Sequence, residues 1–348
     1  MTATLLETAQ ALVGAGRGLL AMDESNPTCD KRFAAVGIPQ TVEMRRAYRE
    51  LIVTTPGLGD CISGAILYDE TIRQRDRHGA LLVDRLIGAG IIPGIKVDLG
   101  AKDLALHPDE TVTEGLDGLR ARLAEYAGMG ARFAKWRAVI GLEGQQPSQA
   151  CIRANAQALA RYAALCQEAG LVPVVEPEVL MAGGHAMARC EAVTREVLAA
   201  VFDELRTQSV VLEAMVLKPN MVLPGLACTQ QDSVEAVAAA TVRCLRRTVP
   251  AAVAGVAFLS GGQSGELASA RLNAMHAGGQ TGGRSPWPLV FSFARAIQQP
   301  ALGIWGGEEA NVAAAQHALL HRARCNHAAL HGNYPESMED KPAYRLAS

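Results

Sequence analysis

Five polar residues recur through the middle of this chain at nearly constant intervals, each at or near the end of a short apolar run. Lys96, Lys135, Glu176, Lys218 and Ser260 are separated by 39, 41, 42 and 42 residues. Their runs span residues 91–98, 131–137, 171–176, 210–218 and 253–260. Two similar runs precede them, at 18–23 and 61–67, and one follows, at 288–293. Apolar runs of this length bounded by turn residues read as buried strands. The segments between them are rich in alanine, leucine, glutamate and arginine at helical spacing, most clearly at 148–169 and 233–247. Eight strand–helix units at a steady interval predict a (β/α)8 barrel, the TIM-barrel architecture, in a single domain. A doubly wound open sheet is the alternative, and it calls for a glycine fingerprint just after the first strand. Gly14-Ala-Gly16-Arg-Gly18 instead precedes that strand and lacks the last glycine. The domain is expected to span residues 1–332, with a loosely held polar tail at 333–348. The glycine-rich stretch 278–283 reads as a mobile loop within it.

In a barrel, the carboxyl ends of all strands face one mouth, where catalytic residues collect. Here those ends carry Asp23, Lys96, Lys135, Glu176, Lys218 and Ser260, with Arg295 just past the eighth strand. Charged groups are rarely buried without partners, and packing alone does not explain so many at one end. The sharpest of them is Lys218. The apolar run before it ends on the lysine, and Pro219 cannot donate a ladder hydrogen bond. Its amine is therefore expected at a strand end against an apolar wall. Burial there disfavours the ammonium and makes the amine a nucleophile able to form a Schiff base with a ketone. A lone lysine at such a place would more often be a snorkelling surface residue. The neighbouring cation Lys135 would favour the neutral form of Lys218, and Glu176 would move protons as the carbinolamine loses water. Asp23 would accept a hydroxyl proton during carbon–carbon cleavage. Glu178, beyond Pro177, is read as holding a lysine in place.

Two anion sites are expected. Ser260-Gly-Gly-Gln-Ser-Gly265 follows a strand and precedes a helix, so Ser260 and the Gly261 amide can meet a phosphate at a helix N-terminus. Arg295 can bind the same group in bidentate fashion. Lys96, with Lys31 and Arg32, would hold a phosphate at the other end of the substrate. Lys31 and Arg32 also fit a solvated helix face.

Composition narrows the field. The formal net charge of −2 argues against a nucleic-acid partner. No apolar run approaches membrane-spanning length, and the N-terminus has no basic start followed by an apolar block. The expectation is a cytoplasmic protein with no membrane partner. Eight scattered cysteines without a Cys-x-x-Cys pair read as reduced structural thiols. His317-Ala-Leu-Leu-His321 has i, i+4 spacing but lacks the glutamate of a metal-binding helix, so it reads as an ordinary helix face. No cofactor and no metal are expected.

The motifs together resemble the class I, Schiff-base-forming fructose-bisphosphate aldolases. They are Gly18-Leu-Leu-Ala-Met-Asp-Glu-Ser25, Gly94-Ile-Lys-Val-Asp98, Phe133-Ala-Lys-Trp-Arg137, Val175-Glu-Pro-Glu178, Leu217-Lys-Pro-Asn-Met221, Phe258-Leu-Ser-Gly-Gly-Gln-Ser264 and Phe291-Ser-Phe-Ala-Arg295. The resemblance implies a metal-independent homotetrameric barrel that reversibly cleaves fructose 1,6-bisphosphate into dihydroxyacetone phosphate and glyceraldehyde 3-phosphate. It places the Schiff-base lysine on Lys218, the proton-transfer glutamate on Glu176, the cleavage aspartate on Asp23 and a further active-site lysine on Lys135. The ketone-half phosphate falls near Ser260, Gly261 and Arg295. The other falls near Ser25, Thr28, Lys31, Arg32 and Lys96, and Arg137 matches a further active-site arginine. Three departures stand out. Asn26-Pro27-Thr28 replaces the usual threonine, glycine and serine, so Pro27 removes an amide donor. Ala294 replaces a glycine, which keeps the amide usable if φ there is not positive. Tyr344 is not the last residue, so its role as the family's C-terminal tyrosine is open, with Tyr334 as a substitute.

Other readings make different demands. A Schiff-base lyase or transferase for a monophosphorylated sugar would have lost one cationic set, and an idle scaffold would have lost Lys218, Glu176 or Asp23. A metal-dependent aldolase would need clustered histidines at strand ends. None of these losses or clusters is seen in the sequence.

Overall fold

The computed structural model of the protein describes residues 2–277 and 285–340. Eight parallel strands close a barrel: β1 (Gly18–Ala21), β2 (Ile62–Leu67), β3 (Ile92–Lys96), β4 (Phe133–Ile140), β5 (Val172–Val179), β6 (Val216–Leu217), β7 (Gly255–Phe258) and β8 (Leu289–Phe293). Each pairs with its neighbour in sequence, and β1 pairs with β8. This is the (β/α)8 architecture that the spacing predicts. Helices Gln149–Glu168 and Val234–Thr248 match the clearest helical segments. Ser148 Oγ and Ser233 Oγ cap them by accepting from Cys151 N and Ala236 N at 3.1 and 3.2 Å. The glycine-rich stretch at 278–283 lies outside the described residues.

Side-chain alternation decides what enters the barrel. On β4, Ala134 and Trp136 point outward, and Trp136 stacks on Tyr162 of helix Gln149–Glu168 at 5.5 Å. The Tyr162 hydroxyl donates to the Ala134 and Val174 carbonyls, at 2.8 and 3.0 Å, tying β4 to β5. Phe133, Lys135 and Arg137 therefore point inward. Phe133 fills the lower barrel against Gly94 of β3, where an added Cβ would stand 2.2 Å from its ring. Helix Thr2–Val13 seals the amino ends of the strands, with Ser63 Oγ donating to the Leu12 carbonyl at 2.6 Å. The lower barrel is thus filled by apolar side chains such as Phe133, and the charged side chains gather at the upper mouth. Gly94→Ala is expected to destabilise the fold by about 1–3 kcal/mol through overpacking against the fully buried Phe133. Equilibrium urea unfolding measures the loss.

Two strands differ from expectation. The sixth is two residues long, not the predicted 210–218. Ser209 (φ 56°) and the Val210 N–H close the preceding helix, the latter donating to the Leu205 carbonyl at 3.0 Å. Residues Leu212–Ala214 then form a 3₁₀ turn. Hydrophobicity marked Val210 as buried, but its backbone serves the helix end. Conversely, β5 does not stop at Glu176. It runs through Pro177 to Val179, because the N–H that proline lacks would face β6, which has already ended.

The start of the predicted loose tail is docked. Tyr334 is buried, its N–H donates to Asn273 Oδ1 at 2.9 Å, and its hydroxyl donates to Glu339 at 2.6 Å. Glu339 also pairs with Arg322. Among the described residues, no helix is long and apolar enough to cross a membrane. All eight cysteines are free thiols.

Candidate active site

The upper mouth holds a cleft of about 710 Å³. Its walls include every candidate catalytic and phosphate-binding residue named from the sequence: Lys218, Glu176, Asp23, Lys135, Ser260, Gly261, Arg295, Arg137, Lys96, Ser25, Thr28, Lys31 and Arg32. A comparably large cleft lies among the outer helices around Arg120, Arg161 and Glu168. It has none of the strand-end groups, so its size carries no chemistry.

Strand parity explains the gathering. Alternation turns Asp23, Lys96, Lys135, Glu176, Lys218 and Ser292 inward at the mouth, whereas Ser260 lies past β7, out of phase with its inward residues Gly255 and Ala257, and reaches the cleft from the loop. Glu176 lies between two amines. Its Oε1 is 3.3 Å from Lys218 Nζ, and its Oε2 is 3.3 Å from Lys135 Nζ. Lys135 Nζ is also 2.7 Å from Asp23 Oδ2 and 3.9 Å from Asp98 Oδ2. Lys135, Glu176 and Lys218 are each 3% exposed. Lys218 is positioned by its backbone, whose N–H donates to the Val175 carbonyl at 2.8 Å before Pro219 ends the pairing.

The charges are set by this packing. Burial by itself would lower the pKa of Lys135, but Asp23, Glu176 and Asp98 outweigh it and raise it, so Lys135 is a firm ammonium. Burial would raise Asp23, but Lys135, Lys218 and Lys96 overcome it and hold the carboxyl below its ordinary range. A depressed carboxyl contributes stability that is fully present above the unfolded value, near pH 4, and is lost as pH falls through the lower folded value. Asp23→Asn is therefore expected to flatten the acid limb of the stability curve below about pH 4. Chemical denaturation at stepped pH reads this out, and an unchanged limb would refute it.

Arg137 is partly exposed and pairs with the buried Glu178. Burial would lower its pKa, and contact with Glu178 more than offsets this. Glu178 thus holds an arginine, whereas the sequence reading gave it a lysine, because the extension of β5 places it opposite Val139 of β4 beside Arg137.

The Ser260 loop is built to expose amides. Gly261 and Gly262 have φ of 57° and 98°, a region favouring glycine. Gln263 anchors the turn, its side-chain amide donating to the Ser260 carbonyl at 2.9 Å, and Arg271 holds Gln263 in turn at 2.8 Å. Helix Gly265–His276 starts just beyond. Ala294 has φ −107°, so its amide is presented without the strain that a positive φ would impose. Arg295 lies beside Gly262 and makes no salt bridge among the described residues.

The second cationic set is less open than expected. Lys96 Nζ is 2.7 Å from Asp98 Oδ1 and 2.8 Å from the Asp98 carbonyl. Arg32 pairs with Glu24 and also reaches Gln298 at 3.2 Å, on the helix that begins at Arg295. Lys31 is exposed. Since β1 and β8 are neighbours, Arg32 and Arg295 flank the same side of the mouth, while Lys96 lies on β3. Asn26, one of the departures, donates to Glu70 at 2.8 Å and anchors the helix that carries Thr28, Lys31 and Arg32. Ser25 and Thr28 hydroxyls lie 3.0 Å apart. Tyr334 is committed to Glu339 and Asn273 and does not line the cleft; Tyr344 lies outside the described residues.

Sequence reasoning missed Asp98, Glu24, Ser292 and Gln299, all of which line the cleft. Asp98 was legible: it lies two residues past Lys96, so period-two alternation puts both on the inner face. Gln299 carried no such signal, since only helix docking brings it near Arg32.

The class I fructose-bisphosphate aldolase family model matches residues 4–346. The chain belongs to the class I fructose-bisphosphate aldolases. A probable class 1 fructose-bisphosphate aldolase of Xanthomonas axonopodis pv. citri is 55% identical over 331 residues, covering 95% of this chain and 98% of the relative. A cytosolic fructose-bisphosphate aldolase of Arabidopsis thaliana is 49% identical, covering 96% of this chain and 84% of its own. Among solved structures, a fructose-bisphosphate aldolase from Plasmodium falciparum, in complex with TRAP and a small-molecule inhibitor, superposes with a TM-score of 0.93. It is 47% identical, covering 96% of this chain and 95% of that one. As a class I aldolase the protein is a carbon–carbon lyase acting on fructose 1,6-bisphosphate through a Schiff base.

Proposed function

We propose that Lys218 is the Schiff-base nucleophile and that Glu176, Asp23 and Lys135 serve it. The observation that carries this reading is the bridge of Glu176 between the Lys218 and Lys135 amines, with Asp23 on Lys135. The Lys218 amine attacks the C2 carbonyl of the open-chain ketose. Glu176 receives the ammonium proton and returns a proton to the departing C2 hydroxyl, which leaves as water to give the imine. Asp23, ionised by its lysine neighbours, removes the C4 hydroxyl proton. The C3–C4 bond then breaks, its electrons flow into the iminium as an enamine, and glyceraldehyde 3-phosphate departs. Protonation at C3 and attack of water on the imine release dihydroxyacetone phosphate and restore Lys218. Lys135 stays charged throughout and balances the carboxylates as protons move.

Ser260, the Gly261 amide and Arg295 would bind the ketone-half phosphate, at the start of helix Gly265–His276. Ser25, Thr28, Lys31, Arg32 and Lys96 would hold the other, with Lys96 and Arg32 giving up contacts to Asp98 and Glu24 on binding. Arg137 would face the sugar between them, held by Glu178. Retention of both cationic sets favours a bisphosphate over a monophosphate. The reading extends to one domain over residues 1–332 and to a cytoplasmic homotetramer, which sedimentation equilibrium would test.

Borohydride trapping tests the nucleophile. Protein incubated with dihydroxyacetone phosphate and reduced is expected to carry one stable adduct, on Lys218 by peptide mass spectrometry. An adduct on Lys135 or Lys96 instead would overturn the assignment.

A further inference from the structure

Away from the cleft, and independently of the reaction assigned to it, the fold brings together three metal-ligating side chains. His321 and Cys325 lie one turn apart on helix Val312–Leu330. Glu339 follows the 3₁₀ turn Glu336–Met338. His321 Nε2 is 3.6 Å from Cys325 Sγ and 3.7 Å from Glu339 Oε2. The three ligand atoms all lie within 4.8 Å of one another. We propose that His321, Cys325 and Glu339 form a divalent metal site of the zinc class, which clamps the segment after Leu330 onto its helix.

Geometry supports this first. Tetrahedral zinc with Zn–S of about 2.3 Å and Zn–N of about 2.0–2.1 Å separates sulfur from nitrogen by about 3.6 Å. The His321–Cys325 pair already has that spacing. For nitrogen and carboxylate oxygen the same geometry gives about 3.4 Å, so Glu339 has a few tenths of an ångström to close toward His321, and the spread of up to 4.8 Å among the three ligand atoms sets how far it must move toward Cys325. The donor set comes next. A thiolate with an imidazole selects zinc-like ions over magnesium or calcium, which prefer all-oxygen shells.

The surroundings of Glu339 resemble an outer shell. Its Oε1 accepts from the Tyr334 hydroxyl at 2.6 Å and pairs with Arg322, while Oε2 faces His321. Arg322 is itself fixed, buried and donating to Ser269 Oγ at 2.7 Å. Ligating carboxylates are commonly oriented by such partners. The charges also balance. A Cys325 thiolate and Glu339 supply two negative charges for a dication, with Arg322 paired to the Glu339 oxygen that faces away from His321. Cys325 is fully buried, whereas His321 and Glu339 are partly open, which leaves a route for the ion and a fourth position for water. Burial and Glu339 push the Cys325 thiol up to about 12, against Arg322, so binding must release its proton.

The rival is a hydrogen-bonded trio with no metal. Cobalt(II) distinguishes them as a spectroscopic probe. Full-length protein is stripped with chelator, desalted and titrated with cobalt. The expected result is a thiolate-to-cobalt charge-transfer band that saturates at one equivalent and is bleached by zinc. Cys325→Ser should lose the band, while Cys228→Ser, at the most accessible thiol, should keep it. His321→Asn, at a partly exposed position, should weaken cobalt binding at least tenfold and covers the case in which Cys325→Ser does not fold. Zinc should raise the melting temperature of the parent and not of these variants, and aldol turnover should be unchanged by stripping. Absence of the band in the parent, or a band that survives Cys325→Ser or binds as tightly in His321→Asn, would overturn the site.

Discussion

Lys218→Met is expected to lower aldol cleavage by at least about 10⁴-fold, on the scale seen when a covalent nucleophile is removed. The Schiff base has no other route, because the second buried amine of the pair, Lys135, is bound to Asp23 at 2.7 Å and held as an ammonium. Methionine fills a similar volume without an amine. Orphaning a buried carboxylate typically costs about 3–5 kcal/mol. Glu176 avoids most of that cost because Lys135 remains 3.3 Å from it. The variant should therefore fold, melt close to the parent and still bind dihydroxyacetone phosphate, but give no borohydride adduct. Turnover within tenfold of the parent would remove Lys218 from the nucleophile role. A collapsed melting curve would mean that Lys218 also carries the cluster's structure.

Glu176→Gln should cost about 10²–10⁴-fold in kcat, the usual range for a positioned acid–base group. Glutamine keeps the shape but neither takes the ammonium proton nor returns one to the leaving hydroxyl. Carbinolamine dehydration should become slow, so the imine forms gradually and trapping by borohydride lags behind binding. KM is expected to change far less than kcat, since no phosphate contact is lost. A merely structural role would give the opposite pattern, a lower melting temperature with the trapping rate intact. The substitution also leaves Lys218 without its carboxylate partner at 3.3 Å, so some loss of stability accompanies the kinetic effect.

The fold was legible because each parallel strand needs a helical return before the next, and in the middle of this chain those returns are nearly equal in length, which shows as the interval between strand-end residues. The gathering of the strand-end groups in one cleft was legible for the same reason. A charged residue ending an apolar strand has one place to go, and eight parallel strands send all of them to one mouth. What misled was local. Val210 has the composition of a strand residue, yet its N–H is needed to close the helix end at Leu205. Pro177 has the composition of a strand terminator, yet β5 passes through it because β6 is too short to need its N–H.

By itself, then, the sequence determined the barrel, the family and the strand-end groups of the cleft, since these follow from periodicity, from the motifs and from which residue type closes a strand, while Glu24, Ser292 and Gln299 entered only with the fold. Only the tertiary structure decided the pairings. Glu176 between two lysines, Glu178 on Arg137, Lys96 tied to Asp98 and Arg32 turned to Glu24 depend on register between strands and on helix docking, which no single segment encodes. The same holds for His321, Cys325 and Glu339. Helical periodicity places the first two together, but the glutamate arrives only because the chain folds back after Leu330, and that fold is held by Tyr334 and Arg322.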